Sequence, residues 1–390
     1  MSRYYSYLNT AKEVLQQYNG NEPLASFLRK FFSASKKYGS KDRRQISHLC
    51  YCFFRIGKMK PELPVEERIV MGLFLCSDEP NEILQQVKPE WSNKITLPLH
   101  EKLFLLNAGD SFEAIFTFTG DLSNGIEKEA FIFSHLRQPD LFLRLRPGKE
   151  DRVKKKLTGA GIQFEIISDT CLSLPNTSKI DSLIELNKEA VVQDYSSQRI
   201  VEFLRYSIVN SQSKITVWDC CAASGGKSIM LYDLYPNIDL TVSDIRESIL
   251  ANLKKRFSEA GITKYKSIVA DLAASDFIFH SSDFQLILAD VPCSGSGTWG
   301  RTPEKLYYYE KERTEEYASL QQKIVVNVIP HLKPGGYFLY STCSVFKREN
   351  EDVVDFIKQH SGLELIMQEV LTGYDKKADT MFAALLRMPL

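Results

Sequence analysis

Apolar residues in the first third of the chain recur at every third or fourth position, which is the spacing of an amphipathic α-helix. This pattern is clear over residues 8–18, 24–32 and 46–56, whereas the alternation typical of strands is scarce. Breaks at residues 21–23 and 39–42 separate these segments and supply residues that commonly begin helices. The sequence therefore predicts an all-helical domain over residues 1–135.

The pattern changes after residue 140. Residues 141–146 alternate like a strand, residues 150–160 form a basic amphipathic helix, and residues 164–168 and 170–174 follow as two further strands. This order predicts a small α/β subdomain over residues 136–190.

Strand-like and helix-like segments alternate from residue 191 to residue 390. The predicted strands cover residues 215–219, 240–244, 267–271, 286–290, 337–342, 363–369 and 382–388. The clearest helices between them cover residues 247–259, 315–332 and 350–360. Such alternation is typical of the α/β class, with a mostly parallel sheet and helices on both of its faces.

The composition is that of an ordinary soluble protein, with 44% hydrophobic and 25% charged residues. No apolar run reaches the roughly 18 residues that a membrane span needs, so we expect no membrane association and a cytoplasmic location. The eight cysteines contain no C-x-x-C spacing, which indicates neither a metal site nor a disulfide framework.

The net charge is zero, but basic residues are concentrated at the start of the chain. Residues 1–60 contain twelve Lys and Arg against three Asp and Glu. This asymmetry is typical either of a protein that binds a polyanion or of a solvated helical face.

A glycine turn joins a predicted strand to a predicted helix in residues 217–228, Val-Trp-Asp-Cys-Cys-Ala-Ala-Ser-Gly-Gly-Lys-Ser. Glycine lets backbone N–H groups approach a ligand closely, so the turn predicts a site for a nucleotide or an adenosyl cofactor. The end of the stretch and the acidic strand 286–290 also match a P-loop NTPase. The first glycine of a P-loop is replaced by Cys221, which disfavours that interpretation.

Four predicted strands end in an acidic residue, namely Asp219, Asp244, Asp271 and Asp290. Ligands of open α/β sheets bind beyond the carboxyl ends of the strands, so these carboxylates are predicted to surround one crevice. Asp244 stands where a ribose acceptor lies in dinucleotide-binding domains. A single such residue is more typical of a turn or a helix cap, whereas four in register favour a site.

Two cysteines follow predicted strands at the same edge of the sheet. Cys293 lies in residues 290–297, Asp-Val-Pro-Cys-Ser-Gly-Ser-Gly, and Cys343 lies in residues 340–344, Tyr-Ser-Thr-Cys-Ser. A lone cysteine there is usually structural, but two that face one crevice suggest a nucleophile with a partner.

Three of these motifs, at residues 219–227, 290–297 and 341–344, resemble those of the NOL1/NOP2/Sun (RsmB-like) RNA cytosine-5 methyltransferases. The resemblance covers residues 137–390 and implies a Rossmann-like class I methyltransferase domain over residues 191–390, preceded by an RRM-like subdomain. Residues 1–135 more weakly resemble the NusB-like RNA-binding domain of some bacterial members, through residues 41–44, Tyr51 and Arg55.

The resemblance implies S-adenosylmethionine as the cofactor and methylation of C5 of a cytidine in RNA as the reaction. Cys343 would be the nucleophile and Cys293 would assist release of the covalent product, although the residues alone do not distinguish the two. Asp290 would hold the cytosine edge, and Lys227 would stabilise charge beside the cofactor or the nucleophile. The implied cofactor-binding residues are Cys221, Ala222, Ala223, Ser224, Gly225, Gly226, Lys227, Asp244, Arg246, Asp271 and Asp290.

The chemistry suits these residue types. C5 of cytosine is a poor nucleophile, but a thiolate that adds to C6 turns C5 into an enamine-like carbon that attacks a sulfonium methyl group. The chain departs from the family pattern at Ser224, where proline is usual, at Val291, where alanine is usual, and at Leu272. None of these changes removes a reacting group.

The predicted partner is RNA, with small-subunit ribosomal RNA first and tRNA second, and the protein is expected to be a monomer. Residues 307–309, Tyr-Tyr-Tyr, predict either base stacking or core packing. Two alternatives of other classes remain at this point: a catalytically silent RNA-binding or assembly factor, and a P-loop NTPase.

Overall fold

The structure is a computed structural model that describes residues 3–35, 37–207, 214–235, 237–277, 279 and 284–390. Lys36, which belongs to the basic N-terminal region, lies outside the described residues. The α-helices of the described part are α1 (Arg3–Gln17), α2 (Leu24–Ser33), α3 (Ser40–Arg55), α4 (Val65–Cys76), α5 (Glu82–Val87), α6 (Pro89–Ser92), α7 (Leu99–Leu105), α8 (Lys128–Ser134), α9 (Glu150–Gly159), α10 (Tyr195–Ser207), α11 (Gly226–Leu234), α12 (Glu247–Ala260), α13 (Pro303–Tyr308), α14 (Glu312–Val328) and α15 (Glu351–Ser361).

The β-strands of the same part are β1 (Leu141–Leu145), β2 (Glu165–Ser168), β3 (Cys171–Leu174), β4 (Ala190–Val192), β5 (Ile215–Asp219), β6 (Ile238–Asp244), β7 (Lys266–Val269), β8 (Phe284–Asp290), β9 (Leu332–Thr342), β10 (Glu364–Leu371) and β11 (Met381–Arg387).

The chain forms two compact units, and the first is helical. It comprises Met1–Gly120, Glu127–Gln138 and Thr298–Glu310. Its core is built from the apolar faces that the three-to-four spacing predicted, with Leu8 and Val14 of α1 packed among Leu49 and Phe53 of α3. The predicted helices 8–18, 24–32 and 46–56 correspond to α1, α2 and α3.

Helix α13 belongs to the helical unit although it lies far along the chain. Its Tyr307 ring lies 5.4 Å from the ring of Phe54, and the ammonium group of Lys58 lies 3.6 Å from the Tyr307 ring centroid. The Glu304 carboxylate accepts a hydrogen bond from the backbone N–H of Leu24, the first residue of α2. Of the two roles proposed for the tyrosines, these contacts favour core packing over base stacking.

Arg55 is a structural residue of the helical unit. Its side chain is buried and donates hydrogen bonds to the carbonyl oxygens of His135 and Arg137 and to the side chain of Gln138. Its guanidinium group therefore ties α3 to the chain that follows α8, and it is not exposed to a polyanion.

The second unit contains both sheets. It comprises Asp121–Ile126, Pro139–Gly297 and Lys311–Leu390. The larger sheet has the strand order β10-β11-β9-β8-β5-β6-β7, in which β7, β6, β5, β8 and β9 are parallel and β11 runs antiparallel to both of its neighbours, β9 and β10. The predicted α/β class with a mostly parallel sheet is confirmed. The smaller sheet is antiparallel, with the order β2-β3-β1-β4.

The boundaries differ from the predicted ones at one site residue. Strand β7 ends at Val269, so Asp271 lies in the turn beyond it, where its carboxylate accepts the backbone N–H of Ala273. A carboxylate that caps a turn of this kind explains why the strand stops earlier than the apolar pattern suggested. The three-domain division of the sequence remains a prediction.

All eight cysteines are free thiols. Among the described residues, no helix is both long enough and apolar enough to cross a membrane.

Replacement of Tyr307 by alanine is expected to destabilise the helical unit by about 2 kcal/mol, because it removes a half-buried ring from an aromatic cluster. Phe104→Ala is the control, since its ring is 80% exposed in the same unit and its loss is expected to change stability by less than about 0.5 kcal/mol. Urea denaturation followed by circular dichroism measures both. Unchanged stability of Tyr307→Ala together with weaker RNA binding would instead favour base stacking.

Candidate active site

The candidate site lies at the carboxyl ends of the central parallel strands. Strand β5 lies between β6 and β8, so the chain order reverses there, and ligands of α/β sheets bind at such a switch point. Asp219 and Asp290 are the last residues of β5 and β8. Cys343 directly follows the last residue of β9, and Cys293 follows β8 by three residues. The parallel register thus brings the separate motifs to one edge.

The glycine turn between β5 and α11 is fixed by its backbone. The N–H of Ala222 bonds to the Ser243 carbonyl at 2.9 Å, and the N–H of Gly225 bonds to the Ala222 carbonyl at 2.8 Å. Gly225 has φ +82°, and a Cβ there would lie 2.7 Å from the Phe257 ring. Glycine is therefore required by backbone conformation and by space. Helix α11 begins at Gly226, so its first N–H groups have no partner within the helix.

Arg256 holds the glycine turn from helix α12. Its guanidinium group donates to both the carbonyl oxygen and the hydroxyl of Ser224, at 2.9 and 2.7 Å. It also donates to the side chain of Asn187 at 3.0 Å. Serine at this position loses the stiffness of the usual proline, and these hydrogen bonds supply another restraint on the turn.

Asp244 and Arg246 were both predicted to bind the cofactor, and the structure pairs them with each other. The Asp244 carboxylate accepts from the Arg246 backbone N–H at 2.9 Å and from its Nε at 3.0 Å. It also accepts from the N–H of Ala223 at 3.1 Å. The Arg246 side chain is 59% exposed and that of Asp244 only 7%, so the arginine covers the carboxylate from the solvent side.

A cavity of about 460 Å³ opens beside these residues, a size that suits a small-molecule cofactor. Seven predicted site residues line it: Cys221, Ala223, Asp244, Arg246, Asp271, Asp290 and Cys293. The lining does not include Ala222, Ser224, Gly225, Gly226 and Lys227, which form the turn and the start of α11.

Apolar residues form the rest of the cavity wall. They are Ile245, Ala270, Leu272, Ala273, Val291, Pro292, Leu320 and Ile324, together with Cys220 and Tyr317. The sequence did not single out the residues from α14, because one apolar helical face resembles any other. Leu272 and Val291, noted only as departures from a pattern, prove to line the cavity.

Lys227 and Asp290 form an ion pair inside the crevice. Their Nζ and Oδ2 atoms are 2.7 Å apart, and the Ser341 hydroxyl donates to the other carboxylate oxygen at 2.9 Å. Burial alone lowers the pKa of Lys227, but the neighbouring Asp290 and Cys343 raise it, and the net pKa lies above its usual value. The ammonium group therefore stays charged and faces Cys343 as well as Asp290.

Asp219 lies deeper than this pair. Burial raises the pKa of its carboxyl group to about 7, and the hydroxyl of Ser228 donates to it at 2.5 Å. It supports the turn and is itself fully buried.

The loops that carry the two cysteines lie against each other. The backbone N–H of Cys343 donates to the Cys293 sulfur at 3.3 Å, and the N–H of Gly297 donates to the Cys343 carbonyl at 2.9 Å. A Cβ at Gly297 would lie 1.9 Å from the Thr380 carbonyl oxygen, so only glycine allows this approach. A side-chain hydrogen bond to the Cys343 thiol, followed by burial, holds the pKa of the Cys293 thiol well above its usual value. The two cysteines therefore differ in their electrostatic surroundings.

Residues 206–387 match the family model described as 16S rRNA methyltransferase RsmB/F. Among curated proteins, the chain is 30% identical over 237 residues to a probable ribosomal RNA small subunit methyltransferase B of Bacillus subtilis. This match covers 59% of this chain and 52% of the relative. It is 31% identical over 227 residues to ribosomal RNA small subunit methyltransferase B of Shewanella oneidensis, covering 57% and 51%. The chain thus spans about half the length of these relatives.

Residues 206–387 are therefore similar to the RsmB/F methyltransferases of the NOL1/NOP2/Sun family. Solved structures share the fold of this region. The crystal structure of PH0851 has a TM-score of 0.67 at 20% identity over 94% of both chains. NSun6 of Pyrococcus horikoshii, solved with SFG, has a TM-score of 0.58 at 14% identity over 67% of this chain and 94% of its own. The larger sheet with its helices is therefore a Rossmann-like methyltransferase fold.

S-adenosylmethionine is the cofactor of the NOL1/NOP2/Sun family, and SFG is an analogue of it. The residues present fit this cofactor. The glycine turn leaves N–H groups for the methionine end, the buried Asp244 offers a carboxylate for the ribose, and the apolar wall with Leu272 suits a flat ring. The family match favours an S-adenosylmethionine site at the glycine turn over the phosphate-binding P-loop that the sequence also allowed.

Removal of the Arg256 side chain is expected to weaken S-adenosylmethionine binding about threefold to tenfold, because two hydrogen bonds that restrain Ser224 are lost. The control is Lys255→Ala, since the neighbouring side chain on α12 is 76% exposed and does not contact the turn. Isothermal titration calorimetry measures both affinities. An unchanged affinity for Arg256→Ala would show that the turn keeps its shape without the arginine.

Proposed function

We propose that this protein methylates C5 of a cytidine in RNA, with S-adenosylmethionine as the methyl donor and a covalent bond between Cys343 and C6 of the base as the intermediate. The observation that carries the proposal is the contact between the two cysteine loops, close to the Lys227–Asp290 ion pair and to a cavity that Cys293 and Asp290 line. Two such thiols have no evident use in a simple transfer to an oxygen or nitrogen atom.

Cys343 is the nucleophile in this proposal. The Lys227 ammonium group interacts electrostatically with Cys343 and is held in place by Asp290. A fixed positive charge favours the thiolate over the thiol, and the thiolate is the reactive form. The raised pKa of the Cys293 thiol favours its protonated form.

Asp290 holds the base. One carboxylate oxygen is bound by Lys227 and the other by Ser341, so the group has a fixed orientation, and its side chain is 24% exposed towards the cavity. A carboxylate placed in this way accepts a hydrogen bond from the exocyclic amino group of a cytosine taken out of its stack. This contact sets C6 towards the Cys343 sulfur.

Bond formation between the sulfur and C6 moves the double-bond electrons to C5. S-adenosylmethionine, when bound, would supply an electrophilic methyl group to C5, and its methyl–sulfonium bond is the bond that would break. The remaining C5 proton must then leave, so that its electrons restore the C5–C6 double bond and the C6–sulfur bond breaks with its electrons returning to Cys343.

Cys293 takes the C5 proton in this proposal. Two adjacent thiols resist ionising together, because the second charge is placed beside the first. Once Cys343 has become a neutral thioether, that obstacle is gone, and Cys293 can lose its own proton to water and act as the base. The contact between the two cysteine loops therefore sets the order, in which Cys343 bonds to C6 before Cys293 loses its proton.

RNA is the proposed partner, and small-subunit ribosomal RNA the proposed substrate, in keeping with the names of the curated relatives. Six basic residues of the helical unit are exposed: Arg29, Lys30, Lys37, Lys41, Arg43 and Arg44. They are available to RNA phosphates, and such contacts are weakened by salt. The NusB-like character of this unit and the RRM-like character of the smaller sheet are parts of the proposal. The sheet order β4-β1-β3-β2, with α9 between β1 and β2, supports the latter.

A tRNA substrate is the second candidate, and a monomeric cytoplasmic enzyme remains our expectation. A catalytically silent factor is disfavoured, because the lysine, the aspartate and both cysteines are present and in contact.

We expect Cys293→Ala to accumulate a covalent RNA–protein adduct and Cys343→Ala to form none. Purified variants are incubated with S-adenosylmethionine and with RNA from cells that lack the gene, and the adduct is resolved on a denaturing gel. Loss of either thiol is expected to reduce turnover at least about a hundredfold, since each acts in the transition state of its own step.

The double variant Cys343→Ala/Cys293→Ala is the control and should form no adduct. If Cys343→Ala methylated RNA at a normal rate, the nucleophile would be wrongly assigned. If no variant formed an adduct and the native protein transferred no methyl group, the silent factor would be favoured.

A further inference from the structure

A buried carboxyl group, that of Glu349, joins the two cysteine loops from behind. Glu349 ends the short 3₁₀ turn Lys347–Glu349 that precedes α15, and its side chain is fully buried. One oxygen accepts the backbone N–H of Ser294 at 2.8 Å, and the other accepts the Ser344 hydroxyl at 2.6 Å. These two partners directly follow Cys293 and Cys343 in the chain.

Further hydrogen bonds fix the carboxyl group itself. Gln321 of α14 donates to Glu349 at 3.2 Å and to the Pro292 carbonyl at 2.9 Å. The Tyr340 hydroxyl donates to the backbone carbonyl of Glu349 at 2.6 Å. The group is therefore held from α14 and from β9, and it has little freedom to follow a loop that moves.

Three serine hydroxyls complete the link between the loops. Ser294 and Ser296 lie on the Cys293 loop, and the hydroxyl of each is 3.2 Å from that of Ser344 on the Cys343 loop. Asn350, the next residue after Glu349, bonds to the Ser344 carbonyl at 3.0 Å and to Thr342 at 2.6 Å. The two loops thus share one polar network.

If Glu349 served only to stabilise the fold, a buried carboxyl group would be a costly way to do so. Among the described residues, no lysine or arginine pairs with Glu349, and burial raises the pKa of its carboxyl group. A buried carboxyl group without a cation is expensive, and apolar side chains would pack two loops together at lower cost. A carboxyl group, however, has two acceptor oxygens at a fixed separation and can hold two donors at a set distance.

We propose that Glu349 is a positioning residue that fixes the separation of Cys293 and Cys343, and that this separation sets the rate at which the covalent product is released. The proposal rests on the proposed function. Release requires the Cys293 sulfur to reach the C5 proton while Cys343 is bound to C6, so it depends on the position of one loop relative to the other. Formation of the adduct depends on Cys343 and Lys227, so we expect it to be less sensitive than release to the loss of Glu349.

Four variants test the proposal: Glu349→Ala, Glu349→Gln, Ser344→Ala and Cys293→Ala. Glu349→Ala is expected to release product at least about tenfold more slowly and to accumulate adduct, with an unchanged KM for S-adenosylmethionine. Glu349→Gln should restore release, because the amide oxygen keeps the bonds from Ser294 and Gln321 and its NH₂ group donates to the Ser344 hydroxyl. Ser344→Ala should accumulate adduct to a smaller degree. This variant tests the same link between the loops if Glu349→Ala does not fold.

Each variant is assayed for adduct on a denaturing gel, for single-turnover release and for KM. The proposal is overturned if Cys293→Ala accumulates adduct while both Glu349→Ala and Ser344→Ala release product at the native rate. It is also overturned if Glu349→Gln behaves as Glu349→Ala, or if the loss of rate comes with a raised KM. If Cys293→Ala forms no adduct and the native protein makes no 5-methylcytidine, the proposed function is wrong and the proposal falls with it.

Discussion

Two thiols whose loops are in contact cannot both be ionised at little cost, and the rest of the site is arranged around this constraint. The Cys343 backbone N–H donates to the Cys293 sulfur at 3.3 Å, and the Cys343 side chain raises the pKa of the Cys293 thiol, so a charge on one sulfur disfavours a charge on the other. The charged Lys227 side chain interacts with Cys343, whereas Cys343 and burial raise the pKa of the Cys293 thiol. In the proposed mechanism, chemically identical side chains obtain different roles from their surroundings, as pairs of carboxyl groups do in other enzymes.

The sheet makes that contact possible. Strands β8 and β9 are parallel neighbours, with Asp290 in register with Ser341, so the loops that follow them leave the sheet side by side. Gly297 lets the first loop pass close to the Thr380 carbonyl, and Glu349 holds both loops from within. A short polar network thus joins two loops whose cysteines lie fifty positions apart in the sequence.

The sequence predicted what depends on local pattern. Apolar periodicity located the main helices and strands, and acidic and cysteine residues after strands pointed to the edge of the sheet that holds the cavity. It did not predict contacts made by ordinary residues from distant elements. Arg256, one of several charges on an amphipathic helix, proves to hold the glycine turn, and Glu349 had no motif to mark it.

The sequence left the role of helix α13 open, because three tyrosines after Pro303 suit a stacking surface as well as a core. Tyr307 and Tyr308 pack on Phe54 and Tyr18 of the helical unit, as the second alternative predicted. A segment that follows the Cys293 motif in the chain thus belongs to the core of the helical unit. The pattern of apolar residues within the segment does not predict this. Asp271 was predicted to end a strand, and the structure places it in the turn beyond the strand, where its carboxylate caps that turn.

The most direct measurement of the covalent chemistry uses RNA labelled with tritium at C5 of cytidine. Tritium released to water and methyl groups transferred from S-adenosylmethionine are counted in the same reaction. The mechanism predicts one tritium released for each methyl group, with both lost in Cys343→Ala. Methyl transfer without release of tritium would contradict it, because the methyl group would then be bound to an atom other than C5.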